Sequence, residues 1–209
     1  DPHNEFRGKN ILYQAHEADP AMADFFRDAA EKLLAVRAKR PRPHLDDKVL
    51  AAWNGMMISA FAKGGQILDE PRYTEAALRA AACVREKLWR DGTLLRRYRD
   101  GDAAIPGFLD DYACMINAQV DLYETTFDLA HLTWAEQLAE RAIALFADPN
   151  GGFYSTPEGQ SDLVLRLKDD YDGAEPSGNS VLTYALLRLG RLRDRADFLA
   201  AAERTLESF

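Results

Sequence analysis

The chain has 209 residues, 26 Lys+Arg against 34 Asp+Glu for a formal net charge of −8, and 47% apolar residues. This composition supports a sizeable core and is not that of a disordered chain. It lacks the cationic excess that nucleic acid demands, and no apolar run approaches the ~18 residues of a membrane span, so neither partner is expected. The start carries no basic-then-apolar signal segment. Cys83 and Cys114 stand 31 residues apart with no C-x-x-C, which argues against a disulfide framework or a cysteine zinc site and for reduced thiols in a cytoplasmic protein.

The apolar residues include 33 Ala and 26 Leu against 6 Val and 6 Ile, a bias toward helix formers over β-branched strand formers. Seven helices are expected. The first runs from about Pro20 to Arg40, ended by Pro41 and Pro43. The second starts near Asp46 or Asp47 and reaches Leu68 through Val49, Ala52, Trp53, Met56, Ala60 and Phe61. The third opens at Pro71 and reaches Trp89. The fourth covers about Leu109–Thr126, the fifth His131–Ala147, the sixth the Pro176-Ser177 turn to Arg191, and the seventh starts near Arg195. Leu94–Tyr98, Gly152–Ser155 and Leu163–Leu167 read as short strands.

A repeat organises these helices. Asp69 and Asp128, Gly92 and Gly151, and Trp53 and Tyr112 are each 59 residues apart, and Asp194 lies 66 residues after Asp128. Each unit is helix, short turn, helix, then a glycine-marked loop, the pattern of antiparallel hairpins. The period is too long for tetratricopeptide, ankyrin or HEAT repeats and suits an α/α toroid of hairpins, with the even-numbered helices lining the barrel. The fold class is therefore all-α, about half of a six-hairpin α/α toroid with short β-hairpin pieces in its loops, expected as one partial domain over residues 1–209. A half-toroid exposes the apolar flanks of its end hairpins, so either self-association or marginal stability alone is expected.

If the inner helices share a geometry, their N-terminal ends converge on one mouth. The unusual polar sequences fall there: His44, Asp46 and Asp47, with Trp53 and Asn54; Asp110, Asp111 and Tyr112; and Asp172, Glu175, Ser177 and Asn179. Aromatic faces stack on a sugar ring while carboxylates and amides bind its hydroxyls, so a small carbohydrate is the expected partner. Asp47, Asp111 and Glu175 are the candidate acid–base groups, and the others the candidate substrate contacts. The competing reading is structural: Asp46, Asp110 and Ser177 suit helix caps, and Trp53 lies on an apolar stripe. Asn54 is followed by Gly55 in mid-helix, which suggests a close backbone approach. His3, His16, His44 and His131 show no metal spacing, His131 reads as a surface residue, and no phosphate loop or G-x-S-x-G occurs; neither metal nor cofactor is expected.

Three segments carry a family resemblance: residues 43–58 around His44-Leu45-Asp46-Asp47-Lys48 and Trp53-Asn54-Gly55, residues 108–113 around Asp110-Asp111-Tyr112, and residues 171–180 from Tyr171 to Ser180. Together they resemble the thioredoxin-domain-containing family that includes spermatogenesis-associated protein 20, and Asn10-Ile11-Leu12 resembles the segment after that family's thioredoxin domain. The resemblance implies a toroid distantly similar to N-acylglucosamine 2-epimerases and six-hairpin glycosidases, with a thioredoxin-like domain upstream and further hairpins downstream. It thereby implies epimerase-like or glycosidase-like acid–base chemistry on a sugar. The alternative is a non-catalytic scaffold that binds a sugar or protein and serves the thioredoxin-like domain.

Overall fold

The computed structural model describes residues 13, 16, 17, 19–159 and 164–209. They divide into two compact units, Asp1–Asp46 and Asp47–Phe209. In the first, Asp19 accepts a hydrogen bond from the Ala21 amide at 2.9 Å and starts a 3-10 turn that leads into α1, Ala23–Ala38. The Asn10-Ile11-Leu12 stretch and His3 lie outside the described residues.

The second unit holds six helices: α2 (Ala51–Leu68), α3 (Pro71–Leu88), α4 (Leu109–Thr126), α5 (Leu129–Phe146), α6 (Gly178–Leu192) and α7 (Ala196–Leu206). They form three antiparallel hairpins, α2/α3, α4/α5 and α6/α7. The turns are tight because one residue in each adopts the left-handed conformation: Asp69 at φ 50°, Phe127 at φ 58° and Asp194 at φ 52°. Asp128, which the repeat aligns with Asp69, instead caps α5 by accepting from the Ala130 amide at 2.9 Å.

The even-numbered helices pack side by side, α2 on α4 and α4 on α6, with α3, α5 and α7 behind them. This is the α/α-toroid arrangement. α4 lies in the middle and is buried along most of its length, including Leu109, Met115, Ile116, Val120 and Leu122. Gly55 allows α2 to close on α4, since a Cβ there would lie 2.7 Å from the Cys114 carbonyl carbon.

The loops between hairpins carry the strands. β1 (Val49–Leu50), β2 (Trp89–Arg90), β3 (Thr93–Arg99) and β4 (Asp102–Pro106) form a small antiparallel sheet centred on β3. Val49 pairs with Tyr98 and Leu50 with Arg97, so these two residues are strand, not the first turn of α2 as the apolar spacing suggested. Of Gly152–Ser155, Phe153 forms a single bridge to Ala147. Leu163 lies outside the described residues, and residues 164–167 are not strand.

Candidate functional site

The chain enters α4 through Gly107, whose amide donates to the Leu94 carbonyl at 2.8 Å. A Cβ at Gly107 would stand 2.8 Å from that same oxygen, so only glycine lets β3 and the start of α4 approach this closely. One turn on, Asp111 is fully buried. Its Oδ2 accepts from the Phe108 amide at 2.9 Å, which caps α4, and from Arg96 Nη1 at 2.9 Å. Its Oδ1 accepts from the Ala52 amide at 3.0 Å. Leu50, at the N-cap of α2, has no side-chain cap to offer, and Asp111, which the repeat aligns with Ala52, supplies that cap from the neighbouring helix. Burial, helped by the charge of Asp110, pushes the Asp111 carboxyl up to about 6, against the downward pull of the Phe108 amide, Arg96 and the Ala52 amide.

Asp110 turns outward, with its side chain 38% exposed, and receives the same Arg96 nitrogen at 3.2 and 3.3 Å. The Arg96 guanidinium lies over the Phe108 ring, 4.7 Å from its centroid. From α2, Trp53 is 57% exposed. Its indole N–H donates to Oε1 of Glu175, in the loop ahead of α6, at 3.0 Å. Below them Cys114 is buried, and its thiol is pushed up to about 12 by burial and by the charges of Asp110, Asp111 and Glu175. The structure thus gathers Trp53, Asp110, Asp111, Cys114 and Glu175, from three consecutive inner helices or the loops before them.

The other residues singled out from sequence have different places. Tyr112 is fully buried: its hydroxyl accepts from the Leu94 amide at 2.9 Å and its ring meets Phe146 edge-on, so it has no face for a ligand. Asn179 is also buried, and its amide is committed to both backbone groups of Phe153 and to the Asp169 carbonyl, at 2.8–2.9 Å. It pins two loops to α6. Ser177 is the N-cap of α6, accepting from the Ser180 amide at 3.1 Å. Asp172 accepts from the Ser177 amide at 2.8 Å and the Ser180 hydroxyl at 3.0 Å, which lower its pKa. Asn54 donates to the carbonyl of Leu50, the residue just ahead of α2, at 2.8 Å. Asp47 pairs with Arg99 Nε at 2.8 Å. His44 and Asp46 belong to the first unit, where exposed His44 borders a cleft with Arg37, Arg40 and Leu45. His131 is half-buried rather than on the surface: its Nδ1 meets Gln119 Oε1 at 2.8 Å, and burial lowers its pKa.

Two features escaped sequence reading. Arg96 lies on β3, beside a second arginine, and nothing in the strand's sequence marks it out. A second polar cluster, about 15 Å along α4 from Asp111, centres on buried Asp121. Arg188 of α6 reaches Asp121 at 2.6 Å, Asn117 at 2.7 Å and Glu124 at 2.7 Å; Lys63 approaches Asp121 at 3.5 Å, and the Ser59 hydroxyl donates to it. The Asn117/Asp121 spacing of four was the one available sign, and it is common on any helix. Among the described residues no group of three or more His, Cys, Asp or Glu is arranged to hold a metal, and no helix is long and apolar enough to cross a membrane.

No family model matches the chain. Human spermatogenesis-associated protein 20 is 37% identical over 95% of the chain, and an uncharacterized protein of Caenorhabditis elegans is 32% identical over 95%. The chain spans only 28% and 30% of their lengths. Among solved structures, cellobiose 2-epimerase from Bacillus thermoamylovorans superposes with a TM-score of 0.66 at 14% identity, over 91% of this chain and 54% of that one. The unsaturated glucuronyl hydrolase of a Bacillus species gives 0.62 at 18%, over 92% and 56%. An inactive α-1,6-mannanase from a Salegentibacter species, in complex with α-1,6-mannotriose and with two consecutive aspartates replaced by asparagine, gives 0.63 at 13%, over 91% and 54%. At these identities the superpositions establish the fold.

Proposed function

From a chain that is homologous to one section of spermatogenesis-associated protein 20 and folds as part of an α/α toroid, we propose a carbohydrate-active domain whose sugar site is the mouth formed by Trp53, Asp110 and Glu175. The observation that carries this reading is the Trp53–Glu175 pair. Trp53 is more than half exposed, and its indole is held by the Glu175 carboxylate at a mouth where Asp110 also turns a carboxylate outward, so an aromatic face and two acceptors are presented together. The ring face offers a platform for the apolar side of a sugar, while Glu175 and Asp110 accept from its hydroxyls.

In this reading the acid–base work falls to Glu175 and Asp110. Asp111 has its oxygens filled by two amides and Arg96 and acts from below. The adjacent Asp110–Asp111 pair at the start of an inner helix invites comparison with the mannanase made inactive by replacing two consecutive aspartates. Fold likeness extends to an epimerase as well as to hydrolases, so the reaction is assigned only to the class of acid–base chemistry on a sugar. Cys83 and Cys114 are both unpaired, which suits a reducing, cytoplasmic setting.

The second reading is a binding scaffold serving a thioredoxin-like domain. It is favoured by the number of polar mouth residues spent on caps and loop ties, namely Asp111, Asp172, Ser177 and Asn179. Where the scaffold binds a sugar rather than a protein, the two readings share the site and differ in turnover. The site itself is tested by following the Trp53 indole N–H resonance while titrating neutral mono- and disaccharides. The expected result is a saturable shift at Trp53 with buried Trp134 unmoved; no shift with any sugar of the panel would overturn the assignment.

A further inference from the structure

Arg96 lies on β3, 14 and 15 residues before the two aspartates it holds. A single nitrogen, Nη1, stands 2.9 Å from Asp111 Oδ2 and 3.2 Å from Asp110 Oδ2, while the guanidinium carbon lies over the Phe108 ring, 4.7 Å from its centroid. Adjacent residues on a helix point about 100° apart, so two neighbouring carboxylates do not share a cation unless something holds them to it. The stacking on Phe108 fixes the cation, and Asp111 is itself fixed by the Phe108 and Ala52 amides. The orientation of Asp110 is what remains to be set, and Arg96 sets it.

We propose that Arg96 is the positioning residue of the mouth: by tying Asp111 inward and Asp110 outward through one nitrogen, it presents Asp110 as the carboxylate that meets a ligand. The significance of that presentation rests on the mouth being a binding site, whereas the tie itself does not. The groups around Asp111 are few. β3 contributes Arg96, α4 contributes Asp110, the Tyr112 phenol and the Cys114 thiol, α2 contributes the Ala52 amide, and Glu175 ahead of α6 acts on the shared Cys114. Among the described residues Arg96 is the cation bonded to Asp111. Without it two adjacent carboxylates, one fully buried, stand together with no opposing charge; Asp111 takes up a proton and Asp110 loses its tether. Lysine restores the charge but offers no planar guanidinium to lie over the Phe108 ring and hold the cation in place.

The test is a carboxyl-carbon NMR titration of Asp110 and Asp111 in the full chain, for the wild type, Arg96→Gln and Arg96→Lys. Arg96→Gln is expected to raise the Asp111 midpoint by about one pH unit or more, and Arg96→Lys to raise it by about half as much. Both variants should remove the difference in carboxyl shift that marks Asp110 as held. If Arg96→Gln fails to fold, Arg96→Lys carries the test alone. A midpoint that stays at its wild-type value in the folded variants, even with a lower melting temperature, would reduce Arg96 to a structural contact and overturn the proposal. Because the titration needs no ligand, a sugar panel that leaves Trp53 unmoved would count against the mouth without touching this result.

Discussion

Asp111 and Asp121 are both buried carboxylates on α4, about 15 Å apart along its axis, and they are held in opposite ways. Asp111 takes two backbone amides and one guanidinium nitrogen. Asp121 takes side chains: Arg188 from α6, Ser59 and Lys63 from α2, and Asn117 from its own helix. The amide-bound carboxylate fixes where α2 and α4 begin, and so shapes the mouth. The side-chain-bound one fixes how the three inner helices stand against one another. A polar cluster at the mouth can thus be structural at its base and open at its rim, while the cluster lower down joins the helices.

The largest effect is expected where a buried charge loses its partner. Asp121→Ala leaves Arg188, 14% exposed, with Glu124 as its remaining carboxylate, and should cost about 3 kcal/mol in chemical denaturation. A cost under about 1 kcal/mol would mean that the helices are registered by apolar packing alone.

Asp111 is distinguished by pH. Its folded value of about 6 lies above the ordinary 3.8, so the folded state binds the proton more tightly than the unfolded chain. The stabilisation this brings is fully present below about pH 4 and is lost as the pH rises through about 6. Relative to Asp111→Asn, the wild type should therefore lose on the order of 2–3 kcal/mol between those limits. Parallel stability curves for the two proteins would show that the amides and Arg96 outweigh burial. Smaller again is Asn179→Ala, which strands the Phe153 amide and two carbonyls; about 2 kcal/mol is expected by thermal or urea unfolding. Tyr112→Phe should cost about 1 kcal/mol, for the one bond to Leu94.

The helices and the order of the hairpins were legible because they rest on local signals: Ala and Leu richness, Pro71 and Ser177 at helix starts, and a repeat of 59 residues. The structure expresses that repeat directly, with Ala52 bonded to Asp111 and Gln66 to Thr125, pairs separated by 59. What the repeat did not carry was environment. It equates Trp53 with Tyr112, yet the first is exposed and the second fully buried, because α4 has an inner helix on each side and α2 packs against α4 and α3. Val49 and Leu50 fit a helical stripe as well as a strand, and their pairing with β3, some 48 residues away, decides for the strand. Arg96 and Arg188 were not legible at all, since their roles come from partners on other elements. The polar and aromatic groups in and before the first turns proved divided: Asp111 caps two helices and Asn179 ties loops, while Trp53, Asp110 and Glu175 keep open faces.

The central claim is that the rim of the mouth binds while its base supports. It is tested most directly by Trp53→Ala in the full protein, measured for sugar affinity by calorimetry and for melting temperature in the same preparation. Trp53 is 57% exposed and bonded to one exposed carboxylate, so its removal should change stability by less than about 0.5 kcal/mol. Affinity for the sugar that shifts its indole resonance should fall at least about tenfold, the loss of roughly 1.4 kcal/mol of stacking and hydrogen bonding. Unchanged affinity, or a melting temperature that falls with it, would contradict the division of the mouth into a binding rim and a structural base.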